Sequence, residues 1–210
     1  MNAGLTNLDT LKRHLLAGSM ASQGAFDLQI STLGLGVAGL FDRFCNRELG
    51  YLADAEVVMS ADRSHLVVPR YPLVEVASVS TKGWGETEWT AVDAEPQLFN
   101  ATSGVVHFSG ELGDCRSLVR VIYSGGYWWD SNEPQDGPGV CPEGATELPG
   151  DLRGAFLLQC QQVWATMDKM GVGVIGAEPG GQFLNTRLSY LDLLPLVKEM
   201  LRGFVRYQMS

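Results

Sequence analysis

Histidine and cysteine are scarce in this chain of 210 residues: three histidines and four cysteines, with no C-x-x-C pair. His14, His65 and His107 are isolated, and Cys45, Cys115, Cys141 and Cys160 show no ligand-like spacing, so no zinc site is expected. The thiols read as free, with Cys45 and Cys160 on apolar helix faces. Catalytic signatures are missing too. There is no G-x-S-x-G, no H-E-x-x-H and no phosphate-binding P-loop, and no Ser or Cys context suggests a nucleophile. We assign no catalytic residue, no metal and no cofactor, and read the chain as a non-enzyme. No run of about 18 apolar residues occurs, so no membrane span is expected. The opening MNAGLTNLDTLKRHLL interleaves charged and apolar residues instead of forming a signal layout, which predicts a protein made and kept in a cytoplasm.

Positive charge is scarce in the middle of the chain. Residues 51–150 hold fifteen acids against five bases, and this middle stretch carries the whole surplus behind the net charge of -9. A surface of that sign repels phosphates and argues against sequence-reading of DNA or RNA, although it suits a wall along which DNA slides.

Apolar residues are plentiful and periodic. Leu152, Phe156, Cys160, Val163, Met167 and Met170 recur at spacings of four and three, and Leu157, Leu158 and Trp164 widen the stripe. Leu148–Met170 therefore reads as a central helix packed among others, with Pro149 and Asp151 suited to its first turn. A first helix spans Leu8 to Leu16, capped by Thr6 or Asn7. A second runs from about Phe26 to Cys45, and a last from Leu191 to Tyr207. The small residues 17–25 and Gly171–Gly181 read as connections.

Residues 51–123 change period. His65–Val68, Leu73–Ser80, Trp89–Val92, Val105–Phe108 and Leu118–Tyr123 read as strands, with a corner at Pro69/Pro72 and a turn at Lys82–Gly85. The fold class is α+β: a small helical bundle from residues 1–50 and 148–210, with an inserted, mostly antiparallel sheet over 51–123.

Three features are candidates for function. Gly34, Gly36 and Gly39 match G-x-G-x-x-G, with Asp54 and Glu56 about twenty residues on, as in dinucleotide-binding folds. The apolar helical period runs through these glycines, however, and short strands follow instead of strand–helix alternation. Close helix packing is the competing reading. Second, residues 124–147 read as a long acidic loop in which Trp128, Trp129 and Asp130 could contact a partner. The tryptophans could instead cap the sheet, or join Trp84 and Trp89 in stacking on sugars. Asp130, Asn132 and Asp136 hint at calcium, but Pro134 and Gln135 occupy the places of a ligand and the required glycine. Third, Lys198, Arg202 and Arg206 fall at i, i+4 and i+8, either complementing a helix dipole or forming a docking edge.

The order of these elements resembles the head–tail connector proteins of tailed bacteriophages, also called adaptor or head-completion proteins, in their longer form with an inserted sheet. Five stretches carry the resemblance: Leu8–Leu15, Phe41–Arg47 closing the second helix, Leu66–Val79, Val121–Tyr127 with its Tyr-x-x-Gly-Tyr turn, and Leu148–Ala155. The resemblance implies a structural protein of the virion neck, made in the host bacterial cytoplasm. It implies a twelve-subunit ring of copies beneath the portal protein, presenting a platform to a stopper or tail protein while double-stranded DNA passes through. In such proteins a C-terminal segment often docks on the portal, which makes Lys198, Arg202 and Arg206 the portal-docking candidates. The glycine-rich stretch Gly34–Gly39 and the length of the loop after Tyr127 depart from the pattern.

Overall fold

The computed structural model describes residues 3–16, 24–61, 64–92, 98–108, 112–114, 116–129, 141–170 and 192–206, without the side chains of 98, 99 and 167–170. The fold is α+β, and the chain divides into two compact units, Met1–Cys45 with Pro149–Val205, and Asn46–Leu148 with Arg206–Ser210.

The first unit is helical: α1 (Leu8–Leu15), α2 (Asp27–Cys45, entered through a 3-10 turn at Gly24–Phe26), α3 (Gly150–Met170) and α4 (Pro195–Leu201). The Asn7 side chain accepts a hydrogen bond from the Thr10 amide and so caps α1. Helix α3 packs against each of the other three. Its residues Leu152, Phe156 and Cys160 are fully buried. Phe156 meets Phe41 of α2 edge to face at 6.0 Å, and Trp164 meets Phe26 at 6.1 Å. Lys12 of α1, nearly buried, is paired with Asp27 at the start of α2 at 2.6 Å. By length and mean hydropathy (1.3) alone, Gly24–Cys45 could cross a membrane, although it contains no uninterrupted apolar run of that length. A soluble core helix has the same profile, and Ile30, Leu33, Val37, Phe41 and Cys45 are buried, with α2 packing on α1 and α3.

The last helix is shorter than the expected Leu191–Tyr207. Proline has no amide hydrogen and holds its predecessor out of helical geometry, so Pro195 becomes the first helical residue, and the helix passes at Arg202–Phe204 into a 3-10 turn containing Gly203. The connection expected at Gly171–Gly181 lies outside the described residues.

The second unit is β. One antiparallel sheet runs in the order β1-β7-β3-β4, from β1 (Leu52–Ser60), β3 (Leu73–Lys82), β4 (Thr90–Ala91) and β7 (Leu118–Gly125). A second, β2-β6-β5, comprises His65–Val67, Val105–His107 and Leu98–Asn100, with β6 central. Alternation along β7 buries Val119, Val121 and Tyr123 against Ala55 and Val79 of the same sheet and Leu66, Val68, Val106 and Phe108. Burial pushes the Tyr123 phenol up to about 12.

Strand β1 was not expected. Its period is broken by a bulge between Leu52 and Ala55, where Asp54 adopts φ +52°. The segment 124–147, expected as a structureless loop, carries strand at both ends: β7 continues to Gly125, and β8 (Tyr127–Trp128) pairs in parallel with β9 (Thr146–Glu147).

Candidate assembly surfaces

Three of the stretches that carry the resemblance meet at one place in the β unit. Arg47, from the end of the second-helix stretch, is 6% exposed and lies 3.5 Å over the Tyr71 ring and 5.3 Å from that of Tyr127. Its guanidinium also donates to the Tyr71 carbonyl. Arg70 donates to the Gly50 carbonyl and to the Glu48 carboxylate. A planar cation stacked on one ring while bonded to backbone fixes its segments more tightly than a lysine could. The clamp joins residues 47, 71 and 127, and so positions the strand that bears Trp128. The Tyr127 amide donates to the Leu49 carbonyl, and its own carbonyl accepts from the Tyr51 amide.

Beyond that clamp the two tryptophans separate in role. Trp129 is buried at 5% exposure, its ring so close to Gly50 that a Cβ there would stand 2.5 Å from Cη2. It fills the core, whereas Trp128 in β8 is half-buried and keeps some surface. Asp130 lies outside the described residues, as do Asn132 and Asp136. Of the other tryptophans considered for stacking, Trp89 is covered by the Arg120 guanidinium at 4.8 Å, and Trp84 is 79% exposed.

At the C-terminal end, the buried Gln159 side chain of α3 sets where α4 begins. Its amide nitrogen donates to the Asp192 carbonyl at 3.3 Å, and its oxygen accepts from the Leu194 amide at 3.0 Å. Asp192 in turn pairs with Lys198 at 2.8 Å, and that hydrogen bond holds the Asp192 carboxyl below its ordinary range. Arg202 pairs with Glu199 at 3.0 Å. Because α4 ends at Leu201, the three cations do not form one helical stripe: Lys198 is on the helix, Arg202 in the 3-10 turn, and Arg206 follows it.

The glycine motif lies in the interior of α2, not at the helix N-terminus that a pyrophosphate requires. Gly34 is where backbone meets backbone, since a Cβ there would stand 2.2 Å from the Ala3 carbonyl oxygen. Gly36 and Gly39 have nothing within 4 Å of that position. Among the described residues no group of three or more His, Cys, Asp or Glu side chains is placed to hold a metal ion, and Cys45, Cys141 and Cys160 form no disulfide. Burial raises the Cys160 thiol far above its usual value. The Arg120–Trp89 stack has no signal in the sequence, because Trp89 precedes β4 and reaches Arg120 of β7 only across the registered sheet.

No family model matches the sequence, and no curated protein matches it. Solved structures do. A chain in the neck of an empty GTA particle, computed with C6 symmetry, is 18% identical with a TM-score of 0.61, over 98% of this chain and 92% of that one. A chain from the virion of a native gene transfer agent (GTA) particle is 16% identical with a TM-score of 0.57, over 98% and 92%. One from the neck of a native GTA particle, computed with C12 symmetry, is 15% identical with a TM-score of 0.52, over 100% and 94%. The likeness is one of fold, along nearly the whole length of both chains.

Proposed function

We propose that this chain is a structural protein of a phage-like virion neck: a connector that assembles as a ring beneath the portal and joins the DNA-filled head to the tail or stopper. One observation carries the reading. Two of the chains that share this fold end to end come from particle necks, and those structures have sixfold and twelvefold symmetry. Ring assembly of this chain, at twelve copies, is an inference from that symmetry together with the order of sequence stretches. An acidic body suits it, because DNA must pass without being gripped. The chain needs no cofactor in this role and works without catalysis.

Lys198, Arg202 and Arg206 are the proposed contacts to the portal, and Trp128 with the residues from Asp130 onward the proposed contacts to a neck partner. The ion pairs of Lys198 and Arg202 do not exclude a docking role. Pairs this exposed are weak and screened by solvent, so an acidic partner can exchange for them.

The test is to mix the purified protein with the portal ring from the same genome and weigh the product by native mass spectrometry. One copy per portal subunit supports the connector reading, and no complex at low salt defeats it. Reversal of Lys198, Arg202 and Arg206 together should abolish the complex while leaving the unfolding transition in place. If the complex survives the reversal, portal docking lies elsewhere.

A further inference from the structure

Five basic residues fall between 51 and 150, among fifteen acids. Arg70 is paired with Glu48. Three of the other four, Lys82, Arg116 and Arg120, come together at one corner of the four-stranded sheet. Antiparallel register sets Lys82 beside Leu118 and Ser80 beside Arg120, on the sheet face opposite the buried Val119 and Val121. Arg116 enters the same strand two residues before Leu118. Arg120 stacks on Trp89 at 4.8 Å, with the Lys82 ammonium 5.8 Å from the same ring. A shallow depression of about 210 Å³ opens here between Lys82, Trp84, Glu86, Arg116 and Leu118. Trp84 at its rim is 79% exposed, and Leu118 is 43% exposed.

Two nearby carboxylates, Glu86 and Asp114, offset only part of the charge of the three cations Lys82, Arg116 and Arg120. Glu86 accepts from the Gly83 amide at 2.8 Å, and Asp114 accepts from the Arg116 amide and the Ser117 hydroxyl. An exposed tryptophan that shares a depression with Lys82 and Arg116 on an acidic protein is an anchor for an acidic, extended chain.

We propose that this corner docks the acidic segment 130–143 of a second copy of the chain. That stretch, DSNEPQDGPGVCPE, has four carboxylates, three prolines and no base, so its charge complements the corner. Proline also lowers the entropy cost of holding a bound segment extended. The proposal rests on the ring reading, which sets copies side by side. A contact weak in isolation then becomes effective, because the neighbouring segment is present at a high local concentration.

The first measurement is calorimetric titration of a synthetic peptide of residues 130–143, carrying C141S, onto the full-length protein at low salt. The receiving chain carries D130N, E133Q, D136N and E143Q, so that its own segment does not compete. Saturable binding is expected, weakened roughly tenfold by K82E with R116E and weakened as well by W84A. The second uses two charge-swapped chains, one with K82E and R116E, the other with D130K, E133K and D136K. Each alone should fail to associate, and mixing should restore association, which a contact within one chain cannot do. Absence of peptide binding, indifference to K82E with R116E, or no rescue on mixing would overturn the proposal. So would a DNA duplex that displaces the peptide at equal charge, because the corner would then be a general polyanion site. The portal experiment tests the ring reading independently of these outcomes.

Discussion

Gly34 of α2 and Ala3 of the N-terminal segment lie backbone against backbone, with the space of a single Cβ missing between them. The glycine run that imitates a nucleotide motif is thereby split into one packing position and two open ones. G34A should destabilise the protein by about 1–3 kcal/mol, because neither backbone can move aside as a side-chain tip would. G36A and G39A should each stabilise it by up to about 1 kcal/mol through helix propensity. Urea unfolding of the three variants measures the contrast, and equal effects would contradict this account of α2.

Gln159 is 1% exposed and satisfies backbone groups on both sides of Leu193. Q159L keeps much of the shape but strands the Leu194 amide and the Asp192 carbonyl, at a cost of about 1–3 kcal/mol. Hydrogen exchange should accelerate at the Leu194 amide specifically. Unchanged protection there would mean that α4 is placed by burial of Val197 and Leu201 alone.

Arg47 should tolerate no other cation. R47K loses the planar stack on Tyr71 and part of the donor fork, and should cost about 1–2 kcal/mol despite keeping the charge. R47M should cost at least as much by leaving the Tyr71 carbonyl without its donor. Thermal unfolding of both variants decides whether the clamp depends on geometry or on charge.

The Asp192–Lys198 pair makes a pH prediction with a definite sign. A carboxyl whose folded pKa is depressed contributes stability above its unfolded pKa and loses it as pH falls through the folded value. The contribution is therefore present at neutral pH and disappears in acid. K198A should move the Asp192 titration up towards the ordinary carboxylate range, read by carboxyl NMR. It should also flatten the acid limb of stability, as D192N should.

Much of this architecture was legible in the residues. The 3.6-residue period located α1, α2 and α3, because each buries one continuous face that includes Leu11, Phe41 and Phe156. It overran at α4, where Leu194, Val197, Leu201 and Phe204 keep the spacing while Pro195 and Gly203 limit the backbone. Strand β1 was hidden by its bulge, since a period of two cannot be followed across a residue that turns as Asp54 does. The candidate surfaces were harder to see for a topological reason. Arg47, Tyr71 and Tyr127 each looked ordinary in its own stretch, and their stack exists only once the strands are registered. Ser80 and Arg120, forty residues apart and facing one another, could not be matched by spacing either.

Strand β1 also bears on how copies can crowd safely. It is nine residues long and forms an outer edge of its sheet, and such an edge can recruit a strand from another molecule without limit. The bulge after Leu52, the left-handed turn at Asp54 and the exposed carboxylate of Glu56 spoil the flat ladder that such recruitment requires. If the proposed ring sets copies of the chain side by side, this edge is a guard against polymerising through the backbone, leaving side-chain surfaces to decide which neighbours it keeps.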